Sequence, residues 1–120
     1  MKTKIYEFSQ TNSGGSFVVD ENLCHRVFIE AKTTEEAIEK AESLGVYFDG
    51  VYENLDCPCC GDRWNSPNIV AFPLYWDETK KFKTVSEYAQ HLANEHGWTT
   101  PDARIFYLNG TVEDIFQKED

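Results

Sequence analysis

Within Asp56-Cys57-Pro58-Cys59-Cys60-Gly61-Asp62-Arg63-Trp64, three of the chain's four cysteines fall inside four positions. Cys57 and Cys60 have the Cys-x-x-Cys spacing that lets two thiolates turn onto one ion from a tight knuckle, and Gly61 follows where a cramped backbone has no room for a side chain. Cys59 and Cys60 are adjacent and poorly placed to bridge each other without strain. A knuckle is half a metal site. The expected other half is His91 and His96, whose separation lies within the three-to-five spacing used by two imidazoles on one zinc. The expected zinc set is therefore Cys57, Cys60, His91 and His96, with Cys59 able to replace either thiol. Cys24 or His25 is an alternative ligand, but as neighbours on a strand they point to opposite faces and would not both serve.

A competing reading leaves the thiols packed without metal. A helix turns about 100° per residue, so His91 and His96 sit roughly 140° apart unless the last turn tightens. On that reading His96 shares the inner stripe with Leu92, and His91 lies on its flank. Thiol redox chemistry is the weaker alternative, because no helix N-terminus follows Cys60 to lower a thiol pKa. Arg63 and Trp64 are expected to brace the knuckle, with Asp62 accepting from backbone amides.

The rest of the chain bounds what such a knuckle serves. One α+β domain over residues 1–120 is expected, long enough to bury a core unaided and rich in aromatics, with 3 Trp, 6 Tyr and 8 Phe. The net charge of −10 is spread along the chain, and the longest basic run is Lys80-Lys81. That field repels phosphate backbones and anionic lipid, so direct nucleic-acid binding and membrane association are disfavoured; the acidity is read first as a solvated surface that keeps the chain soluble, with a surface aimed at a basic partner as the alternative. No apolar run approaches a membrane span or a signal-peptide core, which predicts a cytoplasmic protein.

Alternation and turn signals predict strands near Ile5–Phe8 and Phe17–Val19, then one over Leu23–Ala31 with Val27, Ile29 and Ala31 on one face and Arg26, Phe28 and Glu30 on the other. Thr33 and Glu36 form a capping-box signature for a helix with the stripe Ala37, Ile38, Ala41 and Leu44, stopped by Gly45. Asp49-Gly50 predicts a small hairpin between Val46–Phe48 and Val51-Tyr52. A further strand is expected within Asn65–Trp76. Thr84 and Glu87 repeat the cap signature for a second helix to about His96, with the stripe Val85, Tyr88, Ala89 and Leu92. Arg104–Leu108, Asn109-Gly110 and Thr111–Glu113 predict a final hairpin. The expected architecture is an antiparallel sheet with two helices and a zinc knuckle.

Two resemblances bear on the residues. Phe82, Tyr88 and His91, at their observed offsets, resemble the two-Cys, two-His zinc finger, although 30 residues separate Cys60 from His91 where that family has about a dozen. The resemblance covers residues 57–96 and implies a finger-like site set into a larger domain. Separately, Phe28-Ile29-Glu30-Ala31, the Glu-rich helix, Gly45–Val51 and Cys57-Pro58-Cys59-Cys60-Gly61-Asp62-Arg63-Trp64 look like small proteins of tailed bacteriophages that carry no assigned activity. This resemblance implies an infected bacterial cytoplasm and an accessory protein that binds and modulates a host protein. The expected function is a non-enzymatic zinc or thiol-knuckle binding module. Alternatives are an acidic nucleic-acid mimic that blocks a host nuclease or defence protein, and a small metal-dependent hydrolase using Glu95 or Asp62 as general base.

Overall fold

The computed structural model describes residues 3–10, 19–20, 22–48, 52, 64, 67–72, 74–75, 81–96, 99 and 101–117. Their order is β1 (Lys4–Ser9), β2 (Arg26–Ala31), α1 (Thr34–Leu44), β3 (Asn68–Val70), β4 (Leu74–Tyr75), β5 (Lys81–Phe82), α2 (Val85–His96), β6 (Ala103–Phe106) and β7 (Val112–Ile115). Five strands form the main sheet in the order β3-β1-β2-β6-β7, and β4 pairs with β5 in a separate two-stranded sheet. The fold is α+β with two helices, as the sequence predicts.

The sheet is mixed rather than wholly antiparallel. β2 and β6 run parallel, with Phe28 opposite Ile105 and Ile29 opposite Phe106, while the other three pairings are antiparallel. A parallel pair needs a long crossover, and the chain between Ala31 and Ala103 supplies one containing both helices. Nothing in the local alternation of either strand records that choice.

Both faces of the sheet are covered. Tyr6, Phe8, Val27, Ile29 and Phe106 pack with Ala37 and Ala41 of α1, and Ile38 and Leu44 close over them. Phe28, Ala103, Ile105 and Ile115 pack on the opposite face with Val85, Ala89, Leu92 and Ala93 of α2, flanked by Tyr88. Val27 and Phe28 are adjacent yet both fully buried, as a central strand between two helix layers requires. Each such side chain contributes roughly 1.5–3 kcal/mol of burial. The two helix stripes read from the sequence are the ones observed.

Both helices begin alike. Thr33 Oγ1 accepts the Glu36 N–H at 3.2 Å, and Thr84 Oγ1 accepts the Glu87 N–H at 3.3 Å. The reciprocal carboxylates reach one residue beyond the cap, to the N–H of Lys32 at 3.2 Å and of Lys83 at 2.9 Å. At the other end of α1, Gly45 takes φ 114°, and Val46 N–H donates to Ala41 O at 3.0 Å. That is the six-to-one bond of a Schellman stop.

The turns depart from expectation in detail. Val46–Phe48 form no strand; they pack irregularly against the α1-side core, and Asp49-Gly50 lies outside the described residues. Val19 is not in a strand, and Phe17-Val18 lie outside. The β6–β7 hairpin has a three-residue loop, Leu108-Asn109-Gly110, because Tyr107 N–H donates to Thr111 O at 2.8 Å and Gly110 N–H to Tyr107 O at 3.0 Å. Gly110 at φ 93° is the left-handed residue of this turn-plus-bulge form. Asn109 Oδ1 accepts the Thr111 N–H at 2.9 Å.

Candidate functional site

β2 and β6 begin side by side, which brings His25, Arg26 and Asp102 together at the head of the parallel pair. Asp102 is wholly buried. Its Oδ1 lies 2.9 Å from His25 Nδ1, and its Oδ2 accepts from Arg26 Nη1 at 2.8 Å. Arg26 Nη1 also lies 3.3 Å from His25 Nδ1. An ionised Asp102 can only accept, whereas Arg26 can only donate, so the two contacts at Nδ1 call for opposite tautomers of the imidazole, and the Asp102 contact is the shorter. Thr99 joins the cluster, donating its N–H to Asp102 Oδ1 at 3.3 Å and accepting the His25 N–H at 3.2 Å.

Cys24 stands next to this pair, so the cluster contains the residue types of a thiol nucleophile with its base and orienter. Its chemistry is otherwise. The Cys24 thiol is fully buried and donates to Arg26 O at 3.2 Å. Burial pushes its pKa up to about 12, which leaves almost no thiolate to attack anything near neutral pH. These residues tie the strand heads together.

The knuckle residues Cys57, Cys59 and Cys60, with Asp62 and Arg63, lie outside the described residues, as does the side chain of His96. Trp64, at the end of that stretch, is buried and bridges to Gln10. Gln10 in turn donates its N–H to His25 O at 3.1 Å and Nε2 to Cys24 O at 2.7 Å. The chain leaving the knuckle is thus anchored beside the strand heads. Trp64 Nε1 is buried and has no hydrogen-bond partner among the described residues.

His91 is half-buried on α2, its ring 5.1 Å from that of Phe82. Phe82 and Tyr88 meet edge-on at 5.5 Å. The three residues that resemble the zinc finger therefore do pack together, and β4, β5 and α2 follow that family's strand–strand–helix order. No cysteine lies between Leu74 and Phe82, so the hairpin itself offers no thiol. Among the described residues no group of three or more His, Cys, Asp or Glu could hold a metal. Glu95, considered above as a general base, is exposed on α2.

A groove of about 700 Å³ lies between α2 and β7, lined by Ser86, Glu87, Gln90, His91, Glu113 and Asp114 among others. Among the described residues three carboxylates line it, and neither Lys nor Arg does. Glu113 is held in place by the Tyr107 hydroxyl at 2.7 Å and Ser86 Oγ at 2.8 Å; that carboxylate and burial push the Tyr107 hydroxyl far above its ordinary pKa, burial contributing most. Asp114 accepts from Arg104 Nε at 2.9 Å. Gln90 Nε2 donates to Phe116 O at 2.7 Å across the groove. Half-exposed Phe116 is part of the groove's lining. Sequence reasoning did not join these residues, since Ser86, Gln90 and Glu113 meet only through the placement of α2 against β7.

A family model described as a domain of unknown function (DUF7296) matches residues 3–120. No curated protein and no solved structure matches the chain. Among the described residues no helix is long and apolar enough to cross a membrane.

Proposed function

We propose that this chain, which belongs to the DUF7296 family, is a non-enzymatic binding module that engages a basic protein partner. In the setting implied by its phage-like stretch, that partner is a host protein. The observation that carries the reading is the α2–β7 groove, lined by Glu87, Glu113 and Asp114 with no Lys or Arg among the described lining residues, and by half-exposed Phe116. An acidic field speeds encounter with a cationic surface and selects its sign, while apolar contacts hold the complex once formed. The buried polar cluster supports the same reading. His25, Arg26 and Asp102 satisfy one another, and Cys24 is protonated, so that cluster serves structure.

In this reading the knuckle is a staple. Cys57 and Cys60, joined by His91 and His96, close a four-ligand zinc site that contributes folding energy and leaves no open position for substrate.

The test is capture from a bacterial lysate followed by reconstitution with the purified partner and calorimetry. The reading expects an equimolar complex whose Kd rises roughly tenfold or more between about 0.05 and about 0.5 M salt. A reconstituted complex indifferent to salt, or captured proteins that never reconstitute when pure, would overturn it. Competition by duplex DNA for the partner would narrow the module to a nucleic-acid mimic.

A further inference from the structure

We infer that β7 is an open docking edge that takes up an extended basic segment of a partner protein as an added strand of the main sheet. The inference rests on the binding-module reading and specifies its surface and partner chemistry.

β7 ends the strand order, with β6 as its one neighbour among the described residues. Its register determines which backbone groups β6 occupies. Tyr107 N–H donates to Thr111 O, and Ile105 and Ala103 stand opposite Glu113 and Ile115. Alternation along an antiparallel ladder therefore turns the backbone groups of Thr111, Glu113 and Ile115 toward β6, and those of Val112 and Asp114 outward. At the next outward position Phe116 O is met by Gln90 Nε2. α2 thus closes one end of the edge, and among the described residues no strand takes up the outward groups of Val112 and Asp114. The four residues of β7 offer about 13 Å of edge.

Edge strands are commonly blunted by Pro, Lys or a bulge. β7 reads Val-Glu-Asp-Ile and carries no Pro or Lys. Its protection is acidic. A second copy pairing here would set carboxylates against carboxylates, which is unfavourable across a strand pair, whereas a basic strand meets opposite charge. The margin also supplies apolar footing, with Val112 50% and Phe116 49% exposed. Strand addition uses these elements together: backbone bonds for affinity and alternate side chains for selection. The partner segment that fits alternates apolar with Lys or Arg residues.

The test uses the full chain and a short capped peptide alternating valine and lysine, followed by residue-resolved amide exchange. The peptide is expected to bind and to slow exchange at Val112 and Asp114 by roughly tenfold or more. The same peptide N-methylated at alternate residues keeps its charge, loses the edge bonds, and is expected to bind at least about tenfold more weakly. Val112→Pro removes an outward N–H without touching the bonds to β6, and should abolish binding with little change in melting. If that variant fails to fold, the N-methylated peptide on the unaltered chain asks the same question. Equal binding of both peptides, protection at Asn68–Val70 instead, or self-association of the chain through β7 would each overturn the inference. A reconstituted partner complex that leaves β7 exchange unchanged would sink the edge and keep the module reading. Peptide addition at β7 without any reconstituted partner would do the reverse.

Discussion

Asp102 is the residue on which the strand heads depend. It is wholly buried, and it neutralises the Arg26 guanidinium while orienting His25. Asp102→Asn keeps the shape and strands a buried cation, so it should cost about 3 kcal/mol or more, read from urea unfolding. Two glutamates on the opposite face of β1 and β2 from α1 carry opposite consequences of pH. Burial raises the Glu7 pKa above 4.5, with Arg26 partly offsetting, so the folded chain binds that proton more tightly than the unfolded one. The ionised Glu7 therefore costs stability above its raised pKa, and the cost fades as pH falls through that value. Glu30 is lowered by hydrogen bonds from the Thr3 hydroxyl and Leu108 N–H; its contribution is present above 4.5 and lost as pH falls through the depressed value. Glu7→Gln should raise the urea midpoint at about pH 7, Glu30→Gln should lower it, and both differences should shrink toward about pH 3.

The helices show how local signals specify an element's ends. Thr33 with Glu36, and Thr84 with Glu87, mark the two starts in sequence and in structure. The carboxylates reach Lys32 and Lys83 because those N–H groups lie within reach outside the first turn. Gly45 marks the stop of α1 for two reasons. Its φ of 114° suits glycine alone, and a Cβ there would meet Leu23 Cδ1 at 3.1 Å. Gly45→Ala should cost about 1–2 kcal/mol in thermal or urea unfolding; an unchanged midpoint would show that the stop relaxes freely. The final hairpin was legible as a hairpin but not in its loop length. Asn-Gly is compatible with a two-residue turn, and the Tyr107–Thr111 pairing, decided by register against β6, makes it three.

At the scale of the molecule, the zinc proposal joins segments far apart in sequence. Elemental mass spectrometry on chain purified without chelator or affinity-tag metal should find about one zinc, lost in both Cys60→Ser and His91→Ala. Loss in the cysteine variant alone would free His91 for the groove it lines, and absence of zinc from the unaltered chain would overturn the staple. Local residue order was enough for whatever depends on neighbours a few residues away: the two helices, their caps and inner stripes, the faces of β2, and the hairpin joining β6 to β7. Hydrophobic period, hydroxyl caps and glycine stops act over such distances, so they can be read without the fold. The parallel pairing of β2 with β6, the Asp102 cluster spanning 77 positions from His25, and the groove between α2 and β7 were decided only by tertiary structure. Each arises where long crossovers return strands and helices to one another, and it is burial of both sheet faces, not any local motif, that selects those encounters.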